Sequence, residues 1–316
     1  MFEVGGCLRV LITGGAGFIG SHTVDRLLSE GFKVVVLDNL RSGSLENVSQ
    51  HAGNRNFRFV HGDIRDASLV RNVVSDVDFV VHLAALVSVP ESFRDPALTH
   101  DINANGTLNL LKASVDNGVK RFVYASSCAV YGTAEEIPIK EQHPTKPESP
   151  YGASKLTAES HVRKYYEDFG LETVCLRYFN VYGPRQACND YSGVITQFLN
   201  RMLKNLPLII FGDGEQTRDF VYVKDVAEAN LLALKCAAHG EVFNIGTGVA
   251  TSINQLASTL LEIADKRDLK IVHCEARKGD IAHSLADISR ARGKMGYNPK
   301  TLLKDGLMNL LKKVKF

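Results

Sequence analysis

Two residues in the middle of the chain have the types and spacing of an acid–base pair. Tyr151 and Lys155 stand four apart in SPYGASKLTAES (149–160). Residues at that spacing share one face of a helix. An ammonium close to a phenol favours the phenolate, which is then a usable general base. Upstream, VYASSCAVYG (123–132) sets Ser126 and Ser127 just past an apolar, strand-like run. That is the C-terminal edge of an open α/β sheet, where ligands of such sheets sit. A hydroxyl there could hold a substrate oxygen and share its proton with the tyrosine.

A second cluster suits a dinucleotide. TGGAGFIG (13–20) follows the strand-like LRVLIT (8–13) and opens a helical stretch reaching about Glu30. Gly14, Gly17 and Gly20 stand in GxxGxxG spacing, a variant of the GxGxxG fingerprint. Such glycines let the turn be tight, let the backbone approach a pyrophosphate, and let the helix pack closely on the sheet. The helix start then offers free N–H groups and a positive dipole end to phosphate. Asp38 ends the next strand, where a carboxylate accepts the adenosine ribose hydroxyls. A carboxylate there repels a 2′-phosphate, so NAD is expected over NADP, with Arg41 nearby as the one opposing charge. Asp63, ending the third strand, can either reach the adenine or cap the helix at 64–75.

These residues need a scaffold, and the periodicity supplies one. FKVVVLD (32–38), FRFVHGD (57–63), DFVVHLA (78–84) and KRFVYAS (120–126) are further apolar strand-like runs. Helical periods at 66–75 and about 97–117 lie between them. Strand and helix in alternation imply a parallel sheet with right-handed crossovers. After about residue 178 the pattern loosens. IIFGDGEQ (209–216) and VFNIGTG (242–248) separate helical stretches at 192–205, 224–238 and 252–266. The basic, amphipathic segment 301–316 reads as a surface helix.

Composition bounds the function. The chain has 316 residues, 45% hydrophobic and 23% charged, with 37 Lys+Arg against 35 Asp+Glu. It can bury a sizeable core, and the charge balance speaks against a nucleic-acid protein built on a basic field. No uninterrupted apolar run of about 18 residues could span a membrane, and the first ten residues carry no secretory signal pattern. Six scattered cysteines (Cys7, Cys128, Cys175, Cys188, Cys236, Cys274) read as free thiols in a reducing cytoplasm, without a disulfide frame or a metal site.

In this order TGGAGFIG, DNLRSG (38–43), GDI (62–64), HLAA (82–85), SSCAVYG (126–132), YGASK (151–155) and LRYFNVYGP (176–184) resemble the extended short-chain dehydrogenase/reductases, the NAD-dependent epimerase/dehydratase family. The resemblance implies an α/β fold with a doubly wound, Rossmann-type parallel sheet and a smaller C-terminal α/β substrate domain. It divides the chain into an NAD-binding domain (1–178) and a mainly nucleotide-sugar-binding part (179–316) that returns some segments to the sheet. It implies that Gly14, Gly17, Phe18, Ile19, Gly20, Asp38, Asn39, Ser42, Gly43, Asp63, Ile64, Leu83, Ala84, Ala85, Asn103, Tyr151, Lys155 and Tyr178 contact or position NAD. Ser127 would complete a Ser–Tyr–Lys catalytic set.

Within the family, 4,6-dehydratases carry an Asp–Glu pair after the catalytic serine or threonine, and decarboxylases a glutamate nearby. This chain has Cys128 and Ala129 there, so the acid and base for eliminating water are missing. The chain resembles the UDP-hexose 4-epimerases, which need no extra acid. By that resemblance Tyr151 takes the C4 hydroxyl proton while hydride passes to NAD, and the 4-keto sugar rotates and is reduced on its other face. Ser88, Ser127, Tyr151, Phe179, Asn180, Val194, Arg218, Arg277, Asp280 and Ser284 would bind the UDP-sugar. Two arginines on a diphosphate suit bidentate pairing. Ser284 falls where family members carry a residue beside the sugar's C2 substituent. Its small size, with SVPESFRDP (88–96) and RQACNDYSGVI (185–195), is similar to enzymes that accept N-acetylated sugars. UDP-glucose/UDP-galactose and UDP-N-acetylglucosamine/UDP-N-acetylgalactosamine are the expected pairs.

Three rivals stand beside this reading. They are a UDP-uronate 4-epimerase, a 3,5-epimerase/reductase using Cys128 as acid or base, and a non-catalytic NAD-binding regulatory protein. Cys128 also reads as a small buried filler. The resemblance further implies a homodimer through the helices at 97–117 and at Tyr151. Leu108, Leu110, Leu111 and Val115 fit that contact and fit simple packing on the sheet equally.

Overall fold

The computed structural model describes residues 8–186, 193–276 and 279–312. Cys7 and Cys188, expected to be free thiols, and Arg277, expected to bind substrate, lie outside the described residues. LRVLIT becomes strand β1 (Arg9–Thr13), because an apolar, β-branched run suits a strand covered on both faces. Helix α1 (Phe18–Ser29), β2 (Lys33–Asp38), β3 (Phe57–His61), α2 (Ala67–Val74) and β4 (Phe79–His82) follow. The expected helix at 97–117 is divided. After α3 (Val89–Arg94) and α4 (Pro96–His100), a π turn at Asp101–Asn105 leads into α5 (Gly106–Asp116). The π turn carries Asn103, whose amide Nδ2 donates to the Leu86 carbonyl at 3.0 Å and to Ser154 Oγ at 2.9 Å.

β5 (Arg121–Ser127) and α6 (Pro150–Phe169) carry the Ser and Tyr–Lys motifs. ETVCLRY forms a sixth strand, β6 (Glu172–Tyr178). The remainder comprises β7 (Asn180–Tyr182), α7 (Val194–Leu203), β8 (Leu208–Phe211), β9 (Thr217–Arg218), β10 (Phe220–Tyr222), α8 (Val223–Lys235), β11 (Glu241–Ile245), β12 (Thr251–Ser252), α9 (Ile253–Ile263), β13 (Ile271–Cys274), α10 (Ser289–Met295) and α11 (Leu303–Leu311).

The central sheet runs β11-β6-β5-β4-β1-β2-β3, with every pairing parallel. The order reverses between β1 and β4, and open α/β sheets bind ligands at such a switch point. This is a Rossmann-type fold. Alternate residues of each strand feed opposite faces. Val10, Ile12, Val34 and Val36 pack under α1 and α8 with Leu27, Val226 and Leu231. Leu11, Val35, Leu37 and Tyr124 pack under α2, α5 and α6 with Val70, Leu110 and Val162. A third core, with Phe198, Met202, Ile210, Leu256 and Leu260, sits in the C-terminal lobe. The surface helix expected at 301–316 is α11, which buries Leu307 and Leu310 in that core.

β5, β6 and α6 are tied by a buried ion pair. Glu159 and Arg177, 2% and 5% exposed, meet at 2.5 Å, and Ser126 Oγ donates to Glu159 at 2.6 Å. Arg177 also stacks over the Tyr131 ring at 4.7 Å. Breaking such a pair strands a buried charge, which typically costs about 3–5 kcal/mol. Arg177→Met is therefore expected to lower unfolding stability by about that amount in urea titration. A loss under about 1 kcal/mol would show that the pair does not hold these elements together.

Candidate active site

A cavity of about 1060 Å³ opens at the C-terminal edge of the sheet, between the sheet and the C-terminal lobe. At one end lies the glycine turn. Gly14 adopts φ +69°, and a Cβ there would come 2.7 Å from the backbone nitrogen of Ala84, so only glycine brings the turn this close to β4. α1 starts at Gly17 with no side chain capping it, which leaves its first N–H groups for an anion. Asp38 accepts from the Ala16 amide at 3.0 Å and the Leu40 amide at 2.8 Å. Burial raises its pKa, and those two donors oppose the rise. A carboxylate has about four lone-pair sites, so two remain for hydroxyl donors in the cavity.

The neighbours settle which charges face this end. Arg41, the one opposing charge, is paired with Glu91 at 2.7 Å. Asp63 lines the cavity and accepts from Arg65 and from Asn39 Nδ2 at 2.8 Å. The Arg65 guanidinium holds its carboxyl well below the usual range. Asp63 is not the cap of α2: Asp66 takes that place, accepting from Ser68 and Leu69. Phe18, Ile19, Gly20, Asn39, Ser42, Ile64, Leu83, Ala84, Ala85 and Tyr178 also line the cavity. Two expected cofactor residues do not. Gly43 sits behind the turn beside Ala16, and Asn103 is buried, holding Leu86.

In the middle of the cavity lie Ser127, Tyr151 and Lys155. Ser149 caps α6 by accepting from Gly152 at 3.0 Å, and Pro150 occupies its first turn; together they set Tyr151 at the helix start. Ser127 pairs with Tyr178 across β5 and β6. Of the two candidate serines, Ser126 is committed to Glu159, while Ser127 Oγ accepts from the Ala129 amide at 3.2 Å and its hydroxyl opposes the rise of the Tyr151 phenol. Lys155 Nζ donates to the Ala125 carbonyl at 2.6 Å and lies 4.8 Å from the centroid of the Tyr124 ring.

The expected depression of Tyr151 by Lys155 is not found in the protein alone. Burial pushes the phenol up to about 12, and Ser127 is the group that opposes the rise. Burial pushes the Lys155 ammonium down to about 7, against a raising influence of Glu159. Desolvation outweighs the helix-face proximity that the sequence suggested. Cys128 packs among apolar side chains. Burial raises its thiol to about 11, and it is not among the residues lining the cavity.

At the far end Phe179, Asn180, Val194, Arg218 and Asp280 line the wall, and Ser88, which caps α3, lines it nearer the glycine turn. α7 starts at Gly193 without a side-chain cap, so a second helix start faces the cavity. Arg218 donates to Asp280 at 2.6 Å. Ser284 corrects the sequence reading: it is 6% exposed, its amide donates to the Thr217 carbonyl at 3.1 Å, and it does not line the cavity. The segment joining Ala282 and Ser284 to Thr217 turns it into the wall. Sequence reasoning missed Arg185, Gln186, Ile209, Phe211 and Gln216 as lining residues. The IIFGDGEQ run carries no local mark of a site; long-range packing places it beside the cavity.

The uncapped α1 start, the Gly14 cradle and the Asp38 carboxylate fit NAD. Among the described residues no cluster of His, Cys, Asp and Glu could hold a metal ion, and no helix is long and apolar enough to cross a membrane.

The model of the NAD dependent epimerase/dehydratase family matches residues 10–246. A UDP-glucose 4-epimerase of Mycolicibacterium smegmatis is 39% identical, over 95% of this chain and 96% of that protein. The structure of UDP-glucose 4-epimerase from Thermotoga maritima with UDP-glucose is similar at TM-score 0.91 and 42% identity, covering 96% of this chain and 98% of that one. So is UDP-N-acetylglucosamine 4-epimerase from Methanobrevibacter ruminantium in complex with UDP-N-acetylmuramic acid, at TM-score 0.92 and 39% identity, covering 96% and 97%.

The Lys155 shift has a measurable consequence. Below about pH 7 folded and unfolded protein both carry this proton; between about 7 and the ordinary 10.5 only the unfolded chain does. Stability then rises with pH across that window. In cofactor-free protein, the stability of wild type minus that of Lys155→Met is expected to grow between about pH 7 and about pH 10 in urea titrations. A difference that stays flat or falls contradicts a depressed Lys155.

Proposed function

The chain belongs to the NAD dependent epimerase/dehydratase family, and on that premise we propose that it inverts C4 of UDP-hexoses. It interconverts UDP-glucose with UDP-galactose, and UDP-N-acetylglucosamine with UDP-N-acetylgalactosamine. The observation that carries the reading is Ser127, Tyr151 and Lys155 lining one cavity with no acid–base pair after Ser127. Without that pair, the chemistry stops at oxidation and re-reduction.

Tyr151 takes the proton from the C4 hydroxyl and gives it back, and Ser127 holds the same oxygen through its hydroxyl. Lys155, fixed by the Ala125 carbonyl, brings its charge to that end of α6. Asp38 orients the ribose, and the α1 start takes the pyrophosphate. NAD, when bound, supplies the two-electron acceptor and donor for C4, so no net redox change occurs. Arg218 and the α7 start hold the UDP diphosphate at the far wall, with Arg277 assigned to it by the family pattern. Turning the 4-keto ring over between the two transfers needs room, and a cavity of about 1060 Å³ offers it. The same room supports acceptance of an N-acetyl group, as does similarity to the M. ruminantium enzyme.

The reading extends to a homodimer through α5 and α6, where Leu108, Val115 and Leu156 are half-buried. It also places the enzyme in the cytoplasm, where Cys128, Cys175, Cys236 and Cys274 stay reduced.

Proton NMR of the purified protein with each UDP-sugar, and no added reductant, tests the proposal. Both 4-epimers should appear and approach fixed ratios. Tyr151→Phe should keep its NAD and lose roughly 10²–10⁴-fold in rate. Conversion of UDP-glucose alone would remove the N-acetyl part; no conversion of either sugar would overturn the whole reading.

A further inference from the structure

Asp219 has no place in the chemistry above, yet it is 0% exposed and stands between Arg218 and Phe220, both of which line the cavity. Its carboxylate is saturated by donors from elsewhere. Oδ1 accepts from the Thr247 amide at 2.7 Å and the Thr247 hydroxyl at 2.6 Å. Oδ2 accepts from the Gly248 amide at 2.9 Å and the Ala286 amide at 3.3 Å. These donors fill the roughly four lone-pair sites of a carboxylate. A Cβ on Gly246 would come 2.5 Å from Oδ2, so the chain passes here as closely as glycine allows.

The donors belong to two different parts of the molecule. Thr247 and Gly248 form the turn leaving β11, the edge strand of the seven-stranded sheet. Ala286 ends the segment that carries Asp280, the ion-pair partner of Arg218. The main-chain carbonyl of Asp219 adds a third segment, accepting from the Asn180 amide at 3.0 Å and from Asn180 Nδ2 at 3.4 Å. One buried side chain and its carbonyl thus join the sheet to Arg218, Asp280 and Asn180. These are the polar groups of the far wall. The glycine turn and the Tyr151–Lys155 helix have none of these contacts.

We infer that Asp219 is a positioning residue for the diphosphate end of the substrate. It locks the far wall to the sheet, so that Arg218 and Asn180 meet the ligand at a fixed distance from Tyr151. The inference rests on the UDP-sugar reading and goes beyond it by separating substrate grip from cofactor grip. Replacing the carboxylate by an amide turns an NH₂ toward backbone N–H groups. The turn and the 284–286 segment then lose their common anchor, and the glycine turn does not.

The test uses NAD-loaded protein and UDP alone, by calorimetry, beside steady-state rates with UDP-glucose. In Asp219→Asn the UDP dissociation constant should rise by about tenfold or more. KM should rise in parallel, with kcat within a few-fold and bound NAD unchanged. Thr247→Val, which removes one donor and keeps the shape, should raise the UDP dissociation constant by a few-fold, and carries the test if Asp219→Asn does not fold. Wild-type UDP affinity in a folded Asp219→Asn, or in Thr247→Val when that variant carries the test, overturns the inference. So does a joint loss of NAD and UDP that tracks melting, which would make Asp219 a general support. Wild-type protein that takes no UDP at all overturns the nucleotide-sugar reading and this inference with it, and the wild-type titration tells the two failures apart.

Discussion

The site depends on one buried ammonium. Lys155 has given up water for a single carbonyl and the face of Tyr124, and burial moves its proton affinity down to about 7. That burial is tolerable because Glu159 lies one turn further along α6. Glu159 in turn is held in place by Arg177 on β6 and by Ser126 on β5. With Ser126 and the Ala125 carbonyl, the chain Lys155, Glu159, Arg177 therefore spans one helix and the two strands against which it packs. Ser127 and Tyr151 line the same cavity as Lys155. The same apolar burial pushes the Tyr151 phenol up to about 12.

Two grips converge on that centre, and they are built differently. The nucleotide end uses backbone: a glycine turn, an uncapped helix start and an acid that already anchors the turn. It needs no cation, since Arg41 is occupied by Glu91 and Arg65 by Asp63. The far wall uses side chains drawn from β7, β9 and the segment near Asp280, in a lobe with its own core.

What the sequence made legible was local. A glycine turn between strand and helix, an acid at the next strand end and a Tyr–Lys pair one turn apart are set by short-range geometry, and the chain folds them as their spacing predicts. Choices made by distant contacts were not legible. Ser126 and Ser127 are alike in sequence; a glutamate 33 positions on separates them. Asp63 and Asp66 are equally good caps until Arg65 takes the first. The helical period at 97–117 gives no hint of its π turn, nor of the tie from Asn103 in that turn back to Leu86. Ser284 alternates into the wall through its pairing with Thr217, a register no local pattern reveals.

The central claim is that a single cluster removes hydrogen from one carbon and returns it to the same carbon. UDP-glucose carrying deuterium at C4, converted in ordinary water and read by mass spectrometry, tests it most directly. The account predicts UDP-galactose that keeps its deuterium at C4 through many turnovers. Deuterium lost to water during conversion would contradict it, and would mean that a proton, rather than a retained hydride, is exchanged at the inverted centre.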